Sequence, residues 1–119
     1  MGDITGEVYL NGHFMPAEQA HVSVMDRGFV FGDGVYEVIP VYGSRLFRLD
    51  EHLRRLDDSL AGVRIANPHS ADQWRELLGE LIKRHGGGDQ SLYLQITRGC
   101  APRDHAFPQT SPPATVFAM

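Results

Sequence analysis

Between residues 49 and 82 the apolar side chains recur at helical spacing twice in succession. Leu49, Leu53, Leu56, Leu60 and Val63 form one stripe, and Trp74, Leu77, Leu78, Leu81 and Ile82 form an i, i+3, i+4, i+7, i+8 face. Asp50 can cap the first helix, and Pro68 closes that unit. Ser70 and Gln73 make a capping box for the second, each side chain able to satisfy the other's backbone donor, and Gly86-Gly87-Gly88 ends it. The flanking segments read as strands. In "EVYLNGHFMPA" Val8 and Leu10 alternate with Tyr9 before Asn11-Gly12, a turn pair that matches strand twist and predicts a hairpin. "VYEVIPVYGSRLFRL" alternates in period two and turns at Gly43-Ser44, a second hairpin. Pro40 inside it cannot donate to a ladder, which places that strand at an edge or bulges it there. "SLYLQIT" puts Leu92, Leu94 and Ile96 on one face, and the closing "ATVFAM" reads as a strand entering or leaving a core. This order predicts an α+β domain: a small antiparallel sheet with two helices packed on one face.

A length of 119 residues suits one domain. The net charge of -4 gives a nucleic-acid partner no electrostatic support, and no apolar run approaches a membrane span. The start "MGDITGEVYLNGHF" lacks the basic and apolar regions of a signal peptide. Gly6 stands where the M-G-x-x-x-[ST] lipidation pattern needs a hydroxyl residue. Cys100 is alone, which excludes an internal disulfide and suits a reducing cytoplasm. The six histidines form no HxxxH or HxH pair and Cys100 has no CxxC partner, so no metal site is expected. His52, at the edge of a helix face, reads as a packing or solvent residue. There is no GxSxG nucleophile motif, and Cys100 with His105 reads as an incidental thiol. Asp50-Glu51 and Asp57-Asp58 read as a solvated helix face.

Two stretches stand out from this background. "DRGFVFGDGVYEV", residues 26–38, packs Gly28, Gly32 and Gly34 into a loop with at most a short helical turn, just before a strand. It lacks the third glycine of GxGxxG and the GK[ST] of a phosphate loop, so its spacing implies a tight turn and nothing more. In the strand that follows, Tyr36 shares a face with Val38 and Pro40, while Val35, Glu37, Ile39 and Val41 share the core-forming face. In "APRDHAFP", Arg103 and His105 are two apart in a proline-bounded loop, and an extended backbone points both the same way. A guanidinium beside an imidazole makes a small anion trap, since arginine reads carboxylates through two parallel bonds. A solvated loop with Asp104 as local neutraliser is the competing reading of the same residues.

Taken together, "DRGFVFGDGVYEV", "EHLRRL" and "YLQITRG" followed by "PRDHAFP" occur in an order and at intervals that resemble the N-terminal domain of the fold-type-IV pyridoxal-phosphate enzymes. Within that family the chain is most similar to the D-amino-acid aminotransferase branch, which the Arg-x-His loop marks. Branched-chain aminotransferases and aminodeoxychorismate lyases are relatives. The resemblance covers essentially the whole chain and implies that residues 1–119 are an N-terminal domain, with a larger C-terminal domain following at about Met119. It further implies that pyridoxal 5'-phosphate sits in a cleft between the two. Tyr36 matches a tyrosine on the substrate side of that cleft, and Arg55 an arginine that reaches the cofactor phosphate. Arg103 and His105 match a loop contributed by the partner subunit of a homodimer, which with Tyr36 traps the substrate α-carboxylate. Helical periodicity alone puts Arg55 far around from the Leu53, Leu56 and Leu60 line, in solvent. A cleft is solvent until a second domain covers it, so the two readings are compatible.

The chemistry implied is transfer of an amino group between a D-amino acid and a 2-oxo acid, with the cofactor as electron sink and a lysine carrying the α-proton. Trap position would set the preference for D over L substrates by orienting Cα. The only lysine, Lys83, lies nearly opposite the apolar face of its helix and should point to water. The resemblance implies that the Schiff-base lysine lies beyond Met119, in the C-terminal domain, so no catalytic residue is expected within the chain and the 119 residues alone should not transaminate. Two alternatives remain. One is a lyase or branched-chain relative; the Arg103-x-His105 pair argues against the lyase. The other is a non-catalytic, stand-alone interaction domain, to which the apolar "ATVFAM" end would give adhesive surface.

Overall fold

The computed structural model describes residues 6–119; the Met1-Gly2 start, read above as neither a leader nor a lipidation site, lies outside the described residues. The strands are β1 (Glu7–Leu10), β2 (His13–Pro16), β3 (Gly34–Tyr42), β4 (Arg45–Leu46), β5 (Gln90–Thr97) and β6 (Thr115–Ala118). The helices are α1 (Arg27–Phe31), α2 (Leu49–Val63) and α3 (Ala71–Arg84), and a single 3-10 turn covers Ala17–Gln19. The strands form one six-stranded sheet in the order β2-β1-β6-β5-β3-β4, with every pairing antiparallel. The "ATVFAM" segment thus enters the centre of the sheet as β6, between β1 and β5.

α2 and α3 cover one face of the sheet. Leu49, Leu53, Leu56 and Leu60 from α2 and Trp74, Leu78, Leu81 and Ile82 from α3 are buried against Ile39, Val41, Leu92, Leu94 and Ile96. Val63 and Leu77, at the margins of the two stripes, are partly buried. Ser70 and Gln73 form the expected capping box, with bonds of 3.2 and 2.9 Å. The expected cap at Asp50 is not formed. α2 begins two residues earlier than a cap at Asp50 would set it, with Arg48 as its N-cap in a left-handed conformation, because the hairpin runs straight into the helix and Leu49 is drawn into the core. Asp50 instead lies in the first turn, where its charge suits the helix dipole, and it pairs with Arg75 at 2.9 Å.

The second hairpin is lopsided: β4 has only two residues, paired with Val41 and Tyr42. The register of β3 on β5 runs unbroken from Gly34↔Thr97 to Val41↔Gln90, so Pro40 introduces no bulge. The Pro40 carbonyl accepts from Phe47 N on the β4 side, so its nitrogen faces that same sparsely paired flank, where no ladder donor is required. Strand β3 is thereby an edge strand in effect from Gly34 to Ile39, although β4 lies outside it. In β1 the expected alternation gives way to burial of Val8, Tyr9 and Leu10 together. Tyr9 joins the helix-side core, while Leu10 faces a groove on the opposite face that Ala20, Val22 and Phe29 also line.

Candidate functional site

The stretch from Asp26 to Val38 is held to the sheet by its own polar groups. Asp26 caps α1 by accepting from Gly28 N at 2.8 Å. Although only 2 % exposed, it also accepts from Thr97 Oγ1 at 2.7 Å and Thr115 Oγ1 at 2.6 Å. A buried carboxylate needs such partners, and these three fasten α1 to the ends of β5 and β6. Gly32 then closes α1 at φ 66°, a left-handed conformation that costs glycine little. Gly34 starts β3 where a Cβ would lie 2.5 Å from the Ile96 carbonyl oxygen, so only glycine lets the strand approach β5 this closely. The tight turn that the glycine spacing implies is made at Gly32, and Gly34 lets β3 start close against β5, two residues before Tyr36.

The pleat separates Tyr36 from Glu37 as expected. Tyr36 is 63 % exposed on the face away from the helices and stacks on Tyr93, with ring centroids 5.8 Å apart. Burial, with a smaller contribution from Tyr36, pushes the Tyr93 phenol above its ordinary pKa, and its hydroxyl donates to Gln95 at 2.7 Å. Glu37 points the other way, 3 % exposed among aliphatic neighbours. Its carboxylate accepts from Arg55 Nε and Nη2, both at 2.9 Å, and lies 2.8 Å from His52 Nδ1. Burial pushes the Glu37 carboxyl up, but the bonds from Arg55 and then His52 outweigh it and hold it below the usual carboxylate range. Arg55, anchored along one edge, keeps a side chain 66 % exposed. Its pKa is raised chiefly by the Glu37 hydrogen bond and charge, with a smaller contribution from Tyr36. Thus Arg55 reaches adjacent Glu37 from beneath the sheet while Tyr36 stands above it, along the β3 edge that the short β4 leaves uncovered.

A second ionic cluster lies behind α1. Asp33 accepts from Arg27 Nε at 2.8 Å, from Arg98 Nε at 2.7 Å and from Arg98 Nη2 at 3.1 Å. Burial pushes the Asp33 carboxyl up, but the bonds from Arg98 and Arg27 hold it below its ordinary value. Arg98 also donates to the carbonyls of Val63 and Arg64, satisfying acceptors that the end of α2 leaves open. Arg27 reaches the other way, donating from Nη1 to the carbonyls of Asp104 at 2.6 Å and Ala106 at 3.4 Å.

These contacts bear on the "APRDHAFP" loop. Arg103 and His105 both lie near the Phe31 ring: the guanidinium is 5.2 Å from its centre and the imidazole 5.3 Å. Arg103 makes no ion pair or hydrogen bond among the described residues. Asp104 therefore does not neutralise it, and its Oδ1 accepts instead from Ala106 N. Within one chain Tyr36 contacts Tyr93 whereas Arg103 and His105 rest on Phe31, so the structure does not join all of these groups. Lys83 is exposed at the end of α3, as expected. Sequence reasoning missed Glu37, His52, Arg27, Asp33 and Arg98. Glu37 had a signal: a charge on the aliphatic side of an alternating strand demands a partner, and His52-x-x-Arg55 presents two candidates one helical turn apart.

Residues 34–119 match the family described as amino-transferase class IV. A D-alanine aminotransferase of Listeria monocytogenes is 40% identical over 107 residues, spanning 89% of this chain and 37% of that protein. A D-alanine aminotransferase of Staphylococcus epidermidis is 40% identical over 113 residues, spanning 95% and 39%. Among solved structures, a T.th. branched-chain amino acid aminotransferase with pyridoxamine 5'-phosphate superposes with a TM-score of 0.85 at 27% identity, covering 96% of this chain and 39% of that one. The Escherichia coli branched-chain enzyme gives 0.86 at 25%, covering 97% and 41%. The chain spans about two-fifths of the length of these relatives. Sequence and fold together place the chain in the class IV aminotransferase family.

Proposed function

We propose that the chain is the N-terminal domain of a cytoplasmic, pyridoxal-phosphate-dependent aminotransferase that moves an amino group between a D-amino acid and a 2-oxo acid, its lysine-bearing domain following Met119. The observation that carries the reading is the placement of both Arg103 and His105 near one Phe31 ring, with the Arg103 charge unclaimed by any acid among the described residues. Such a pair suits a carboxylate. Its separation from Tyr36 within one chain supports a homodimer, in which the loop of one subunit completes the trap at the other's Tyr36.

The residues present fit the cofactor. A phosphate dianion suits a guanidinium that is solvent-facing and already aimed, and Glu37 binds only the Nε and Nη2 edge of Arg55. Bound pyridoxal phosphate would supply the electron sink for charge developing at Cα. The chain's own residues would orient: Arg55 holds the phosphate end, and Arg103, His105 and Tyr36 hold the carboxylate. Two fixed ends decide which face of Cα meets the base, and hence D against L preference.

The test is turnover by the complete protein with D-alanine and 2-oxoglutarate, against L-leucine and 2-oxoglutarate. Preference for D-alanine is expected, with Arg103→Ala raising the amino-acid KM by about 10- to 100-fold for loss of a charged hydrogen-bonding partner. Preference for L-leucine would favour the branched-chain reading, which the structural neighbours support. The 119-residue chain alone should show no turnover, and borohydride trapping of pyridoxal phosphate on Lys83 would overturn that expectation.

A further inference from the structure

We propose that Arg27 is a positioning residue that clamps the substrate-carboxylate loop from behind; the proposal rests on the reading of Arg103 and His105 as that loop's carboxylate ligands. Arg27 is 4 % exposed, and its guanidinium faces two ways. Its Nε is fixed on Asp33, which Arg98 holds in turn through two bonds. Its Nη1 donates to the carbonyls of Asp104 and Ala106, the residues on either side of His105. Its guanidinium carbon also lies 4.8 Å from the centre of the Phe31 ring against which Arg103 and His105 rest.

Loop 101–114 has no strand or helix of its own to hold it. Besides Arg27 and the Phe31 ring, the loop is fastened at Phe107, whose ring lies 4.1 Å from the Arg98 guanidinium carbon. The Arg27 and Phe107–Arg98 fastenings converge on Asp33, in the "FGDG" turn that also leads into Tyr36. One buried ionic cluster therefore sets the start of β3 and the backbone around His105 together. A lysine at position 27 would keep a positive charge beside Asp33, but its single nitrogen cannot span the carboxylate and both carbonyls.

The experiment is Arg27→Lys in the complete enzyme, read three ways. Substrate KM for amino acid and oxo acid should both rise about tenfold or more, with kcat and cofactor content changing far less. Deuterium exchange at the Asp104–Ala106 amides should quicken about tenfold while α2 and β5 stay protected. In an Arg103→Ala/His105→Ala background the same change should add under about threefold to KM, because it acts through residues already removed. Unchanged KM, unchanged exchange, or an equal penalty in that background would overturn the clamp. If Arg103→Ala leaves KM unaltered, the carboxylate-trap reading falls as well; if Arg103→Ala raises KM and Arg27→Lys does not, the clamp alone fails. Should Arg27→Lys not accumulate as folded protein, Phe107→Leu loosens the Phe107–Arg98 fastening at a half-exposed ring. It should raise KM in the same sense, and an unchanged KM would count against the clamp.

Discussion

Asp33→Asn is the most informative single change to the stability of this domain. The two side chains have nearly the same shape, so packing is conserved while the charge is removed. The carboxylate accepts three bonds from two guanidiniums whose side chains are 5% and 8% exposed. An asparagine offers one acceptor oxygen and turns an amide donor toward arginine donors, leaving Arg27 and Arg98 buried without a counter-charge. Breaking a buried pair in this way costs about 3–5 kcal/mol, against about 5–15 kcal/mol for a whole domain. With a urea slope of about 2 kcal/mol/M, the unfolding midpoint should fall by roughly 1.5–2.5 M. Trp74, the only tryptophan and 1% exposed, reports the transition by fluorescence. The pH dependence has a definite sign. Because the folded-state pKa of Asp33 is depressed, its contribution is fully present above the unfolded pKa and is lost as pH falls through the folded one. The gap between wild type and Asp33→Asn should therefore narrow in acid. A midpoint shift under about 0.5 M at neutral pH, or a gap that widens in acid, would refute the reasoning.

Gly34→Ala forces a methyl group to 2.5 Å from the Ile96 carbonyl oxygen on a backbone that cannot yield without disturbing the β3–β5 register; a loss of about 1–3 kcal/mol or more is expected in the same urea assay. Arg55→Ala in the complete protein should weaken pyridoxal-phosphate retention about tenfold or more, measured by equilibrium dialysis. Glu37→Gln, which releases the Arg55 fork, should act in the same direction by a smaller factor, and unaltered retention in both would remove Arg55 from the proposed phosphate site.

The secondary structure was legible because its causes are local. The period-3.6 stripes, the Ser70–Gln73 box, the Asn11-Gly12 turn and the alternation through Val35 to Val41 each act within a few residues. So the helices, the hairpins and the opposite facing of Tyr36 and the core could all be read from spacing. Where a neighbouring element imposed its own demand, local reading slipped: the burial of Leu49 moved the start of α2 and left Asp50 without the expected cap.

What the amino-acid order could not reveal were interactions whose partners meet only after the sheet assembles. The insertion of β6 between β1 and β5 follows from no local pattern, since an antiparallel edge accepts any strand of suitable length and face. Glu37 stays ionised on the apolar side only because His52 and Arg55, 15 and 18 residues away, close over it. Arg27 and Arg98 read as ordinary charges until Asp33 brings them together, Arg98 from a separation of 65 residues. A buried charge is tolerated only where the tertiary structure supplies its counter-charge, so side chains that look like solvated surface in sequence become the frame of the site.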